Sequence, residues 1–114
     1  MQSNELEKYY LNLKEKYDIK NEQLDEILKY ITDHRIFFDD TEEALLYDKE
    51  VINFKDELDI EADIIPIIDM NDNDYIVFDL ISKKFQKFYI VEELFWADAN
   101  IQEYIDRLKE ITSL

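Results

Sequence analysis

The 114-residue chain contains no glycine, so every tight turn must be built from residues that carry a side chain. Asn and Asp tolerate left-handed backbone better than other such residues, and Asn71-Asp72-Asn73-Asp74 is therefore a predicted turn. A P-loop and a dinucleotide-binding fingerprint both need glycine where backbone approaches phosphate. Cysteine is also absent and histidine occurs once, which excludes thiolate nucleophiles, iron–sulfur clusters, thiolate zinc sites and multi-histidine metal sites.

Helical periodicity appears at both ends of the chain. Asn4 is expected to cap the first helix, with Glu7 closing a capping box, and a second helix is expected to start at Asn21. A last helix is expected after Asn100, which would form a second capping box with Glu103. The sequence therefore predicts two helices at the start of the domain and one at its end, with other structure between them.

Residues 36–62 fit more than one structure. Ile36-Phe37-Phe38 is compatible with an edge strand or a buried loop, and residues 44–46 are expected to form a turn. Asp48 is expected to open a further helix that carries Val51 and Phe54 on one face. The same apolar residues also fit short strands, so both alternatives remain open for this segment.

From residue 63 the apolar period changes from 3.6 to 2, which predicts strands over 64–68, 75–80 and 85–90. Pro66 indicates an edge strand or the start of a strand, because proline cannot donate to a ladder. Phe95 and Trp96 fall between the last strand and the last helix, where buried structural roles are favoured. The chain is therefore predicted to be one α+β domain over residues 1–114, with N-terminal helices, an antiparallel three- to four-stranded meander and a C-terminal helix packed on the sheet.

Acidic residues are concentrated in the middle of the chain. Fifteen carboxylates and two lysines lie between Phe37 and Asp79, a net charge of −13 out of −16 for the whole chain. The charge opposes the approach of nucleic acids and anionic membranes. It fits a solvated surface that maintains solubility, a face that attracts a cationic protein, or a surface that mimics DNA by placing carboxylates like phosphates.

The second of these alternatives is the main prediction, with occlusion of a basic protein partner as the mechanism. Carboxylates in turn-like segments would pair with Lys and Arg of the partner, and an exposed Trp96 would supply an apolar anchor. The predicted partner-binding residues are Asp39, Asp40, Glu42, Glu43, Asp69, Asp72, Asp74 and Trp96. A phage-type inhibitor that mimics DNA is the alternative function, and the sequence indicates no oligomeric state.

No pattern supports catalysis, a metal or a cofactor. Asp69-Met70-Asn71-Asp72-Asn73-Asp74 begins like a calcium loop of the EF-hand kind, but Asp74 stands where that loop needs glycine and Leu80 where it needs a bidentate Glu. His34 lies between Asp33 and Arg35 without a recognisable nucleophile. The chain is predicted not to be an enzyme. It has no apparent secretory signal, and a cytoplasmic location is expected.

One part of the sequence resembles a known family. Asp63-Ile64-Ile65-Pro66-Ile67-Ile68-Asp69, followed by Asn73-Asp74-Tyr75-Ile76-Val77-Phe78-Asp79-Leu80, is similar to the strand–turn–strand of the SUKH superfamily, and residues 97–105 resemble its closing segment. The resemblance covers roughly residues 44–111, although the glycines and the N-terminal Leu-Pro that are usual in the family are missing. It implies a bacterial immunity protein, an α+β domain that neutralises a toxin, and many such toxins are nucleases with basic clefts.

Overall fold

The computed structural model describes residues 3–38 and 41–113 of the chain, and these residues contain four helices and six strands. The helices are α1 (Asn4–Tyr17), α2 (Glu22–Leu28), α3 (Asp48–Leu58) and α4 (Ile101–Thr112). The strands are β1 (Ile36–Phe37), β2 (Ala44–Leu45), β3 (Ile64–Asp69), β4 (Asp74–Asp79), β5 (Lys84–Tyr89) and β6 (Leu94–Asp98). The expected α+β class is confirmed.

The strands form a single antiparallel sheet in the order β1-β2-β3-β4-β5-β6. Three to four strands were expected, and the number in the described residues is six. Residues 44–46 are not a turn: Ala44 pairs with Asp69 and Leu45 with Ile68, because the short β1–β2 hairpin extends the sheet. Strands of two residues are too short to show the alternation of apolar and polar residues by which a strand is recognised in a sequence.

The sixth strand was missed where the sequence indicated a connection. Leu94–Asp98 pairs with β5, and its register shifts next to Trp96, between Lys87 and Phe88 of the partner strand. The bulge interrupts the alternation by which a strand is recognised. Pro66 is also at an irregularity, since β3 shifts its register against β4 between Pro66 and Ile68. β3 is therefore an interior strand that accommodates proline at a bulge, not the predicted edge.

The helix starts agree with the sequence only in part. Asn21 caps α2 as predicted, with its Oδ1 accepting from the Leu24 N–H at 2.9 Å. The N-cap of α1 is Ser3 rather than Asn4, since the Ser3 Oγ accepts from the Leu6 N–H at 3.2 Å. Asn100 precedes α4 without a side-chain capping bond, so the second predicted capping box is wrong.

Left-handed backbone occurs at seven described residues, all of which carry side chains: Asp18, Asp59, Asn71, Asp72, Asn73, Lys83 and Glu93. Three of them are consecutive, with φ between 55° and 72°, and form the predicted turn after β3. Asp18 and Asp59 end α1 and α3 in the same conformation. Asp and Asn thus take over the positions where glycine usually ends a helix or turns a chain.

Both faces of the sheet contribute buried side chains, from β3 and β4 above all, whereas β6 alternates between exposed and half-buried residues. On one face, Phe78 and Phe85 stack edge to face with centroids 5.1 Å apart in the main core, to which α1, α2 and α4 contribute. On the other face, Val77 and Phe88 join Phe54 of α3 in a smaller cluster. Successive residues of a strand point to opposite faces, which explains why Val77 and Phe78 enter different clusters.

The main core is expected to carry most of the stability. Phe78 is fully buried, so Phe78→Ala should lower the free energy of unfolding by about 3–5 kcal/mol through lost contacts and a cavity. Ile81 is 68% exposed, and Ile81→Ala should change the free energy by less than about 0.5 kcal/mol. Urea denaturation of both variants measures the difference. Equal losses would contradict this division between core and surface.

Candidate functional site

The sheet topology gathers three acidic connections at one end. In an antiparallel meander, the β1–β2, β3–β4 and β5–β6 connections lie at the same end of the strands, over about 20 Å at the usual strand spacing. Residues 41–43, 69–74 and 90–94 contain no Lys or Arg. We refer to their carboxylates as the acidic end: Glu42, Glu43, Asp69, Asp72, Asp74, Glu92 and Glu93.

Backbone contacts join these connections to one another. The Ile90 N–H donates to the Asn73 carbonyl at 3.0 Å, which ties the β5–β6 turn to the β3–β4 turn. Ala44, the residue after Glu43, stands opposite Asp69 in the sheet. The β1–β2 hairpin is therefore adjacent to the β3–β4 turn, and the acidic end is continuous across the sheet.

Asp69 is held by an internal cation. The Arg35 guanidinium donates to the Asp69 Oδ2 at 3.1 Å and, through Nε, to the Glu50 Oε1 at 2.8 Å. Both carboxylates are mostly buried, with 17% and 21% of their side chains exposed. Hydrogen bonding to Glu50 and the negative charges around it raise the pKa of Arg35 above its usual range. Asp69 therefore serves to fix Arg35 between α3 and the sheet, and contributes little free charge.

Glu43 is engaged from α4. Its carboxylate lies 3.9 Å from the Arg107 Nη1 and accepts from the Tyr104 hydroxyl at 3.3 Å. The Arg107 guanidinium also lies over the Phe38 ring, 4.9 Å from its centroid. Burial and the adjacent Glu43 carboxylate raise the pKa of Tyr104 to about 12. This cluster joins α4 to the β1–β2 hairpin and partly neutralises Glu43.

Asp74 orients Trp96. The indole Nε1–H donates to the Asp74 Oδ1 at 2.9 Å. Because β5 lies between β4 and β6, this hydrogen bond joins β6 to the start of β4 across the intervening strand. The Lys87 ammonium lies over the same indole ring at 5.1 Å from its centroid. Trp96 is nevertheless 48% exposed, so the buried role that was favoured for it is wrong and the exposed alternative holds. Phe95, on the opposite side of β6, packs against Phe88 with centroids 4.8 Å apart.

The remaining carboxylates of the acidic end differ in their surroundings. Glu42, Asp72 and Glu92 are exposed at the turns. Glu93 accepts from the Glu61 and Ala62 backbone N–H groups at 3.0 and 2.8 Å, and so holds the segment before β3. The predicted residues Asp39 and Asp40 lie outside the described residues.

The acidic stretch 39–79 does not fold into one surface. Its residues 48–58 belong to α3, and Asp79 lies at the far end of β4, 9% exposed. Asp79 accepts from the Ile81 N–H at 3.0 Å and the Ser82 hydroxyl at 2.8 Å, and thereby builds the β4–β5 turn. The expected face is therefore narrower than the stretch, and it includes Glu92, which comes later in the sequence.

Exposed apolar side chains accompany the acidic end. Val91, Leu94 and Trp96 are 64%, 50% and 48% exposed within six residues of sequence. The sequence did not predict a contact surface at Val91, Glu92 and Leu94, because β6 was not recognised. The Glu92-Glu93 pair directly after a predicted strand was the available signal for a turn at this point.

The clefts found elsewhere among the described residues are open to solvent. One of them, about 390 Å³, is lined by Ser3, Thr32, Asp33, His34 and Asp48. His34 contacts Asp33 at 3.0 Å, with 73% and 92% of their side chains exposed. The described residues contain no group of three or more His, Cys, Asp or Glu arranged to hold a metal ion. Within residues 3–38 and 41–113, every helix is too short or too polar to cross a membrane.

Comparison with known proteins adds no relative to this picture. No model of a protein family, no curated protein and no solved structure matches the chain. The resemblance noted from the sequence therefore stays a prediction.

The ion pairs of Arg35 with Glu50 and Asp69 are expected to stabilise the fold. Arg35→Met should lower the free energy of unfolding by about 1–3 kcal/mol, because it leaves the mostly buried carboxylates of Glu50 and Asp69 without the guanidinium that pairs with them. Lys109→Met is the control, since its partner Glu26 lies in an exposed pair and the expected loss is much smaller. Chemical denaturation measures both variants. A loss no larger for Arg35→Met than for the control would contradict the assigned role.

The raised pKa of Tyr104 predicts an alkaline loss of stability. A raised phenol pKa means that the folded state retains the proton, so this contribution is fully present below about pH 10 and is lost as the pH rises towards about 12. Tyr9, whose pKa burial also raises to about 12, adds to the same loss. Tyr104→Phe should make the decline shallower in urea denaturation across this range. Superimposable pH profiles for wild type and variant would rule out the assignment.

Proposed function

We propose that this protein binds and neutralises a cationic protein, using the acidic end as its contact surface. The observation that supports this most is the position of Glu42, Asp72 and Glu92, exposed on three connections that contain no Lys or Arg. Carboxylates crowded together repel one another and oppose compact folding. A basic partner relieves that repulsion, so the arrangement favours association with such a partner over an isolated protein.

The same arrangement favours fast and directed association. Exposed charges of one sign steer an oppositely charged protein before contact, and they do so most strongly at low ionic strength. The apolar residues beside the charges, Val91, Leu94 and Trp96, supply area that can be removed from water after contact. Charge thus sets the rate and orientation of encounter, while the apolar side chains contribute to the lifetime of the complex.

Within this function, we favour a bacterial immunity protein that acts in the cytoplasm. The resemblance of residues 44–111 to the SUKH superfamily implies toxin neutralisation, and a nuclease with a basic cleft would complement the acidic end. The protein would act by occlusion and not by catalysis: it would cover the cleft, exclude the toxin's substrate, and need no metal or cofactor of its own.

Two variants of equal charge test the assigned surface. The sheet-end variant carries Glu42→Lys, Asp72→Asn and Glu92→Lys, and the helix variant carries Glu15→Lys, Asp56→Asn and Glu57→Lys, all at exposed positions. Asn is used at position 72 because it keeps the left-handed turn. A basic protein captured by the wild type from lysate of the source organism should associate about 10-fold more slowly with the sheet-end variant, and with a weaker salt dependence.

The helix variant distinguishes an effect of the acidic end from an effect of net charge. Its net charge differs from that of the wild type by the same amount as that of the sheet-end variant. It should retain most of the wild-type association rate, and co-expression of wild type or helix variant should protect cells from the captured protein. Equal slowing of both variants, or capture of acidic proteins only, would refute the proposal. Competition with DNA for a host nuclease, without protection from a toxin, would favour the DNA-mimic alternative.

A further inference from the structure

We propose that Trp96 and Asp74 form a receptor for an arginine side chain of the partner, with the guanidinium stacked on the exposed part of the indole. This inference rests on the function proposed above and specifies the chemistry of recognition. Trp96 lies at the β6 bulge, beside the acidic end and beside the two exposed apolar residues Val91 and Leu94. The occupant is a flexible, arginine-bearing segment of a basic protein.

The indole is held in place before any partner arrives. Its Nε1–H donates to Asp74 at 2.9 Å, and the Lys87 ammonium covers part of the ring at 5.1 Å from the centroid. A side chain fixed on two sides loses little rotamer freedom on binding. Trp96 nevertheless remains 48% exposed, so about half of the side chain is open to solvent and available to a partner.

The surroundings favour a cation at the exposed part of the ring. Trp is the strongest cation–π acceptor among the side chains, and the Lys87 ammonium, a strongly hydrated charge, is the group that an arginine would displace from the ring. Asp74 accepts the indole proton donor through one oxygen, which leaves its charge and its second oxygen for a further donor. Asp72 is exposed on the adjoining turn and adds to the negative potential.

Arginine fits this arrangement better than lysine does. The guanidinium is planar, stacks flat on an aromatic ring, and directs its N–H donors sideways towards a carboxylate. A lysine ammonium is a compact, strongly hydrated charge that loses more hydration on the same surface. A second copy of the chain is a poor occupant, because two molecules of net charge −16 would bring their acidic ends together.

The single tryptophan makes the experiment direct, since all indole fluorescence comes from Trp96. The probes are two peptides of equal length and charge, one alternating arginine with glycine and the other lysine with glycine. At low ionic strength the arginine peptide should bind about 3-fold more tightly and change the Trp96 emission, as expected for one exposed cation–π contact. Calorimetry measures affinity independently of fluorescence.

Two variants locate the effect at the indole. Trp96→Leu should reduce the affinity for the arginine peptide about 3-fold and abolish the preference over lysine, while the binding due to charge remains. Ile81→Ala removes another exposed apolar side chain at the opposite end of the sheet, and should leave both affinities unchanged. Far-ultraviolet circular dichroism and urea denaturation of each variant verify that it is folded.

The outcomes separate this inference from the proposed function. Equal affinity for the two peptides, or arginine preference retained in Trp96→Leu, would overturn the arginine receptor and leave the binding of a cationic partner intact. Failure of both peptides to bind at low ionic strength would count against the acidic end as a binding surface and thus against both proposals. A change in Trp96 emission only with the arginine peptide, together with a calorimetric preference for that peptide that Trp96→Leu abolishes, would support the receptor.

Discussion

The need to turn a chain without glycine shapes both the fold and its charge. Left-handed backbone costs most residues about 1–2 kcal/mol, and Asp and Asn bear it best because their short side chains hydrogen-bond locally. Four of the seven left-handed residues are Asp or Glu, and Asp72 and Glu93 belong to the acidic end. Part of the negative charge at the sheet end is therefore carried by residues that also supply the left-handed backbone of the turns. Asn serves the backbone equally well, so the charge itself is not needed for turning the chain.

Internal contacts decide which of these charges remain free. Arg35 occupies Asp69, Arg107 lies beside Glu43, and the indole of Trp96 takes one oxygen of Asp74. Glu93 is used as an acceptor for backbone N–H groups. Free charge is consequently restricted to fewer side chains than the sequence composition indicates. The same contacts lock α4 and the β1–β2 hairpin around the acidic end, which gives it a defined shape.

The parts of the fold that follow from local periodicity were predicted from the sequence, and the parts that depend on pairing were not. α2, α3, β4 and β5 have clear apolar repeats, whereas β2 and β6 exist because a neighbouring strand is present. The same holds for the candidate site. Asp72 and Trp96 were predicted as contact residues from residue type, whereas Glu92 and Leu94 could be placed there only once the pairing of β5 with β6 was known. Internal neutralisation by Arg35 was also invisible in the sequence, because Arg35 lies 34 residues away from Asp69.

The proposed function depends on negative potential being concentrated at the acidic end. Paramagnetic relaxation of backbone amide protons by a cationic and an anionic nitroxide measures the local potential near each amide without any partner. The largest excess of cationic over anionic relaxation is expected at residues 42, 72 and 92, and this excess should fall as salt is added. A ratio of similar size along the exposed faces of α1, α3 and α4 would mean that the charge is spread over the whole surface, and it would refute the proposed contact surface.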